Sequence, residues 1–123
     1  MAKLTGSRYK LGMWGERAAA THLGKAGYEI LDRNVRTRYG ELDLVARLGN
    51  VLVFVEVKTR TNTEFGSPEE SITTQKASHL LQSAQAYMLA NHLSDIDWRI
   101  DVVTIYKSKG QPPIVAHIEN AIH

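Results

Sequence analysis

The chain has 123 residues, 43% hydrophobic and 23% charged, which is typical of one globular domain and predicts a single domain over 1–123. It contains no cysteine, which excludes disulfides, thiolate metal sites and a cysteine nucleophile. The net charge of +2 and the isoelectric point of about 9.0 favour an anionic partner, although only weakly. Residues 1–8 lack the apolar core of a signal peptide, and the longest apolar run, 51–55, is too short to span a bilayer, so we expect a cytoplasmic protein without membrane association.

The first half of the chain predicts a helix followed by three strands. The helix is predicted at about 12–25, ending near Gly27. Gly49 and Asn50 form a two-residue hairpin signal between the second and third strands. The third strand is apolar nearly throughout, as expected of a strand that is covered on both faces. The three strands are predicted at 28–36, 41–47 and 51–58.

The second half predicts another helix and at least one more strand. After a polar loop, Ser67 and Glu70 match a capping box at a helix start, and Thr73 is a competing cap. The apolar face of this helix carries Ala77, Leu80, Leu81, Ala84 and Met88, and the helix ends near Asn91. A fourth strand is predicted at 98–106, a turn at 110–113, and a short edge strand at 114–118. The predicted class is therefore α/β, with a mixed four- to five-stranded sheet flanked by helices.

Two charged residues stand at the end of the apolar third strand. Side chains alternate along a strand, so Glu56 and Lys58 share a face with Leu52 and Phe54. Charges in such a place are costly unless they pair or bind an ion. From this strand alone, a structural ion pair and a functional site are equally supported.

The hairpin register adds a second carboxylate. A two-residue loop at Gly49–Asn50 places Asp43 opposite Glu56 and Glu41 opposite Lys58. Facing residues have Cβ atoms roughly 4.5–5.5 Å apart, and like charges at that distance repel unless a cation lies between them. Hard divalent cations such as Mg²⁺ prefer oxygen ligands of this kind. The alternative is a longer loop, since a one-residue shift sends Asp43 to the other face.

A third carboxylate comes from the first helix. Glu16 lies three, four and seven residues before Ala19, Ala20 and Leu23, which is the spacing of one helix face. That face is the one expected to pack on the sheet. A solvated glutamate near the helix start is the alternative, but beside two facing carboxylates and a lysine we interpret Glu16 as a ligand or a ligand-orienting group.

Several segments resemble the bacterial YraN family. They are GERAA from Gly15, GYEILDRN from Gly27, GELDLVA from Gly40, VFVEVKTR from Val53, RIDVV from Arg99 and HIENA from His117. The YraN family in turn resembles Holliday-junction resolvases of the PD-(D/E)XK nuclease superfamily. Leu42 stands where the proline of that name is found, a departure common among relatives.

The resemblance implies a restriction-endonuclease-like core (helix, three strands, helix, strand) and a role for each acid. Glu16 matches the first-helix acid, Asp43 the acid of the second strand, and Glu56-Val57-Lys58 the (D/E)XK element. The catalytic residues implied are Glu16, Asp43, Glu56 and Lys58. Asp43, Glu56, the Val57 carbonyl and Glu16 would hold Mg²⁺ or Mn²⁺, which neutralises phosphate charge and acidifies water. Lys58 would position water or stabilise the developing oxyanion.

Basic residues near these motifs are candidate DNA contacts, although a solvated face explains them equally well. They are Arg33, Arg36, Arg38 and Arg60. Lys76, at the start of the second long helix, is a further candidate, although such a residue is more often merely exposed. Asp101 is better interpreted as the partner of a nearby arginine than as a site acid.

The predicted function is divalent-metal-dependent endonuclease hydrolysis of phosphodiesters in structured or branched DNA. The preference for branched DNA comes only from the family analogy. A homodimer would suit a two-fold symmetric substrate. The alternatives are a non-catalytic nucleic-acid-binding module that keeps the nuclease fold, and a structural adaptor that uses the charged residues as an ion-pair cluster.

Overall fold

The computed structural model describes residues 7–61 and 72–123, with side chains from Lys10 onward. Its elements follow the predicted order, and the segment predicted to be a short edge strand forms a full fifth strand. They are α1 (Ser7–Lys25), β1 (Glu29–Thr37), β2 (Gly40–Leu48), β3 (Val51–Arg60), α2 (Thr74–Ala90), β4 (Asp97–Tyr106) and β5 (Ile114–Ile122).

The five strands lie in chain order in one mixed sheet. β3 and β4 run parallel, whereas the other neighbouring pairs are antiparallel. A parallel pair needs a long crossover, and α2 lies in that connection. The predicted class, an α/β fold with a mixed sheet and two helices, is confirmed.

Helix α2 begins at the second of the two predicted caps, Thr73. The capping box at Ser67 and Glu70 lies outside the described residues. Thr73, the competing cap, is the N-cap, and its side chain accepts a hydrogen bond from the Lys76 backbone N–H at 3.1 Å. Neither described helix combines the length and apolar character that a membrane span requires.

The central strand β3 is covered on both faces, as its apolar sequence predicted. Val53 and Val55 pack with Leu23 of α1, and Leu52 and Phe54 pack in the cluster that contains α2. Alternation along the strand divides its side chains between the two helices. Glu56 and Lys58 therefore belong, by the same alternation, to the α2 side.

The β2–β3 hairpin has the predicted register, but its ladder ends early. Pairing runs from Leu48↔Val51 to Leu44↔Val55. Beyond it, Asp43 Oδ2 accepts the Val57 backbone N–H at 2.8 Å. The predicted Asp43–Glu56 and Glu41–Lys58 backbone pairs are thus not part of the described ladder, because an aspartate side chain replaces the neighbouring strand as the hydrogen-bond acceptor.

Regular alternation in β2 is interrupted at Asp43. Leu44 packs in the α1 cluster, and the next even-numbered residue, Leu42, packs instead in the α2 cluster. A regular strand would place these two side chains on the same face. The change of face lets Asp43 turn toward β3, so the two strands part at the position where the acids are found.

β4 and β5 are linked by hydrogen bonds to a buried aspartate, Asp101 of β4. Asp101 is 0% exposed and accepts hydrogen bonds from Arg99 Nε at 3.0 Å and the Asn120 N–H at 2.9 Å, and its Oδ2 lies 2.8 Å from His117 Nε2. Burial alone would raise the pKa of Asp101, but the bonds from His117, Asn120 and Arg99 outweigh it and lower that pKa. The predicted arginine partnership of Asp101 is confirmed.

Candidate metal-binding site

The four predicted catalytic residues line one cleft, of about 300 Å³, where β2 and β3 part. Helix α1 contributes one wall and the end of β3 another. The lining residues are Leu11, Gly12, Glu16, Asp43, Glu56, Val57, Lys58 and Thr59. Residues separated by up to 48 positions in the sequence are thus brought to one place, as the motifs implied.

A glycine allows α1 to approach the end of β3. A Cβ atom built on Gly15 would overlap the Thr59 side chain. Glu16 follows Gly15 directly, so this close approach also sets the distance of the Glu16 carboxylate from the β3 acids. The GE pair in the first helix therefore combines a packing residue with a site residue.

The close approach gives a first prediction. Gly15→Ala should lower the free energy of unfolding by about 1–3 kcal/mol, because the added methyl must displace Thr59 or the helix. Gly24→Ala is the matched control. Gly24 lies in the same helix, and beyond the local helix backbone no atom lies within 4 Å of the position that an added Cβ would take, so the change should be neutral or stabilise by up to about 1 kcal/mol. Urea unfolding of both variants measures the difference. Equal changes in the two variants would contradict the packing role of Gly15.

Asp43 and Glu56 form a tightly interacting carboxyl pair. Burial raises the pKa of Asp43 to about 9, and the hydrogen bond with Glu56 and the charges of Glu56 and Glu16 add to the increase. The Val57 N–H opposes it. The raised pKa reflects the cost of ionising two adjacent carboxyl groups, a cost that a cation bound at this position would relieve.

One buried oxygen of Glu56 has an ion pair but no hydrogen bond. The side chain is 6% exposed, and Lys76 Nζ lies 3.2 Å from Oε2. The two groups form an ion pair, but their geometry is not that of a hydrogen bond, so Oε2 has an ionic partner and no hydrogen-bond donor among the described residues. Buried carboxylate oxygens are normally hydrogen-bonded or bound to an ion. Lys76, predicted as a DNA contact, is therefore a neighbour of the site acid.

Asn34 is a site residue whose role the sequence analysis missed. Its φ of 52° is left-handed, a conformation that asparagine tolerates better than most residues. With its amide oriented from the hydrogen-bond network, it donates to Glu16 Oε1 at 2.8 Å and Glu41 Oε1 at 3.0 Å. The signal available was an asparagine inside a predicted strand, which often marks irregular backbone.

Glu16 lies in a partly buried, negatively charged environment. Burial raises its pKa, the charges of Glu41 and Glu56 add to the increase, and Asn34 and Arg33 oppose it. The helix face predicted from spacing is confirmed by Ala19, Ala20 and Leu23, which are all buried. Asn34 bridges Glu16 to Glu41 and so fixes the carboxylate at the cleft.

The donor set suits a hard divalent cation. Within 7–61 and 72–123, no three His, Cys, Asp or Glu side chains converge closely enough to form a complete metal site. Mg²⁺, however, usually keeps several waters and binds proteins through one or two carboxylates. A carboxyl pair with an oxygen that lacks a hydrogen bond, beside a third carboxylate, fits that requirement.

The predicted DNA-contacting arginines are dispersed around the site. Arg33 and Arg36 are exposed on β1. The positive charge of Arg33 acts to lower the pKa of Glu16. Arg38 lies over the Tyr39 ring, 5.4 Å from its centre. Arg60 is half-buried at the end of β3, and its carbonyl accepts the Lys107 N–H at 2.8 Å.

Together, the mixed five-stranded sheet, the two helices and the acidic cleft define an α/β protein consistent with a restriction-endonuclease-like core. The chain belongs to the family described as Uncharacterised protein family UPF0102, whose sequence profile matches residues 15–105. This confirms the resemblance to the YraN family.

Bacterial relatives match nearly the whole chain. A UPF0102 protein of Syntrophomonas wolfei is 48% identical over 112 residues, covering 91% of this chain and 96% of the relative. A UPF0102 protein of Roseiflexus castenholzii is 45% identical over 121 residues, covering 97% and 98%. Among solved structures, Pyrococcus furiosus SfsA in complex with Ca²⁺ matches with a TM-score of 0.45 and 14% identity. That match covers 95% of this chain and 65% of the SfsA chain.

Proposed function

We propose that this protein is a divalent-metal-dependent endonuclease that hydrolyses phosphodiesters in structured or branched DNA. The observation that carries the proposal is the Asp43–Glu56 carboxyl pair, which lines one cleft together with Glu16 and Lys58. Mg²⁺ or Mn²⁺ would be held by these two residues, with the Val57 carbonyl and Glu16 completing the oxygen donors. The choice of branched DNA comes from the family resemblance.

The charged residues of the cleft and several residues around it have roles in this proposal. The metal would supply a Lewis acid that polarises the phosphate and acidifies water. Lys58 would stabilise the negative charge that develops on the phosphate oxygens. Asn34 positions Glu16, and Lys76 balances the charge of Glu56 from the α2 side. Arg33, Arg36, Arg38 and Arg60 would contact the DNA backbone.

One observation favours a second candidate, a non-catalytic nucleic-acid-binding module. Lys76 already forms an ion pair with Glu56, and Asp43 already accepts the Val57 N–H, so both acids have a partner without metal. A binding module would need no ion at this position. A metal titration separates the two, since only the enzyme should be stabilised by Mg²⁺ or Mn²⁺. A homodimer is part of the nuclease proposal, because a two-fold symmetric substrate would suit a two-fold symmetric dimer. A cytoplasmic location is part of it as well.

The direct experiment is a cleavage assay on a panel of labelled DNA. Duplex, flap, four-way junction and single-stranded substrates are each incubated with the purified protein and Mn²⁺ or Mg²⁺. We expect cleavage of the flap or the junction, and no cleavage when a chelator is in excess. A folded, metal-supplied sample that cuts none of the four substrates would exclude the nuclease proposal.

A further inference from the structure

A second and larger cleft lies beside the candidate metal site. Its volume is about 1040 Å³, and Leu11 lines both clefts. We call it the Trp14 cleft. It is lined by Lys10, Leu11, Met13, Trp14, Arg17, Thr61, Lys107 and Lys109.

The Trp14 cleft concentrates positive charge. Four of its lining residues are cationic, whereas the net charge of the whole chain is +2. No acidic side chain is among the described residues that line it. The cations come from two elements: Lys10 and Arg17 from α1, and Lys107 and Lys109 from the segment after β4. All four are exposed, so they can reach an anionic ligand.

An aromatic ring lies among these charges. Trp14 is half-buried, packing partly against the core, and Lys107 Nζ lies 4.9 Å from the centre of its ring. Met13, adjacent in the sequence, is 38% exposed. Surfaces that bind single strands combine aromatic side chains, on which bases stack, with cations that contact the phosphates, and both kinds of group line this cleft.

The combination favours an unpaired strand over a duplex. A duplex presents phosphates and groove edges, but its base faces are hidden by stacking. Only a single strand can offer both a base face to Trp14 and phosphates to the lysines. A positively charged groove with an aromatic platform is the common arrangement of single-strand-binding surfaces.

We infer that the Trp14 cleft binds single-stranded DNA, with phosphates contacting Lys10, Arg17, Lys107 and Lys109 and a base stacking on Trp14. Because Leu11 lines both clefts, a strand leaving the Trp14 cleft on that side reaches Glu16 and Asp43. The path of the strand toward the acidic site rests on the proposed nuclease function, whereas the binding of single-stranded DNA in the Trp14 cleft does not. The cleft would hold the unpaired arm of a branched substrate while the junction lies at the acidic site.

The charge contribution is tested by binding in the absence of metal. Fluorescence anisotropy with a labelled oligothymidylate, in excess chelator, compares the parent with Lys107→Ala/Lys109→Ala. We expect affinity to fall roughly ten- to thirtyfold at 0.1 M salt, and the slope of log affinity against log salt to decrease by about 1.4, because each lost phosphate contact accounts for about 0.7. Lys25→Ala/Arg47→Ala is the control, since it removes the same charge from residues that line neither cleft.

The stacking contribution is tested by fluorescence. In a Trp98→Phe background, Trp14 is the remaining tryptophan of the chain and should be quenched when the oligothymidylate binds. Trp14→Leu should weaken binding about tenfold, and Trp14→Phe should restore most of that loss, because phenylalanine keeps a ring for stacking. Circular dichroism melting of each variant verifies that the loss is not unfolding.

The binding and quenching results test single-strand binding by the Trp14 cleft separately from the nuclease proposal. Equal affinities of the Lys107/Lys109 double variant and its control, or an unquenched Trp14, would overturn it even if the protein cuts DNA. Stronger binding to phosphatidylglycerol vesicles than to the oligonucleotide, lost in the same double variant, would assign the cleft to a membrane surface and also overturn it. The expected losses of binding support it even if no DNA substrate is cleaved.

Discussion

Glu56→Ala is expected to abolish metal-dependent cleavage of branched DNA, reducing the rate about 100-fold or more. Groups that merely orient metal ligands cost about 10–100-fold when replaced, and Glu56 is proposed as a ligand itself. Glu56→Gln should lose as much activity, because metal binding needs the negative charge, which glutamine lacks although it keeps the shape of the side chain. Initial cleavage rates at saturating Mn²⁺ measure both.

Glu29→Ala serves as the control for Glu56→Ala. Glu29 is an exposed strand glutamate, outside the cleft, whose partner is Arg47 at 3.4 Å. Exposed pairs of this kind contribute little to stability, so cleavage should be unchanged. Full activity of a folded Glu56→Ala protein would show that cleavage comes from another site or from a contaminant.

Asp43→Asn is expected to separate a metal site from a structural ion pair. The amide oxygen can still accept the Val57 N–H, and the amide NH₂ can donate to Glu56. Without metal, the variant should therefore be as stable as the parent or more stable. The parent should gain stability with Mg²⁺ or Mn²⁺ by mass action, and the variant should lose most of that gain.

The pKa of Asp43 gives this variant a pH signature. The folded pKa of about 9 lies above the ordinary value of 3.8, so between these values the folded protein keeps a proton that the unfolded chain releases. The stability contributed by Asp43 is complete below about pH 4 and declines as pH rises toward 9. Asp43→Asn should remove that decline from urea-unfolding free energies measured in chelator. A sharply destabilised variant, together with a parent that metal does not stabilise, would contradict the metal site.

The elements and the hairpin register could be predicted because they depend on local patterns. Gly49–Asn50 defines a two-residue loop, and the fully apolar β3 indicates a strand covered on both faces; both features are confirmed. Glu16 could be predicted to face inward because helical spacing links it to Ala19 and Leu23. The predicted end of β5 at 118 was four residues short, because Glu119 and Asn120 are polar and Asn120 has a left-handed φ of 50°, which interrupts the strand pattern.

The parts of the site that were missed depend on tertiary contacts. Nothing in the sequence of β2 shows that Asp43 would accept the Val57 N–H and end the ladder, since that requires the strands to part. The bridge from Asn34 to Glu16 joins β1 to α1, and the contact of Lys76 with Glu56 joins α2 to β3. Such contacts are fixed by how helices dock on the sheet, which spacing within one element does not specify.

The anchoring of Asp101 affects how this chain can be modified by protein engineering. A tag attached after His123 leaves the contacts from His117 and Asn120 in place. Trimming the chain before 117 would remove both and leave a fully buried carboxylate with Arg99 alone, a change that is strongly destabilising for buried charges. Although β5 lies at the edge of the sheet, the domain needs it, because β5 supplies two of the groups that compensate the buried charge of Asp101.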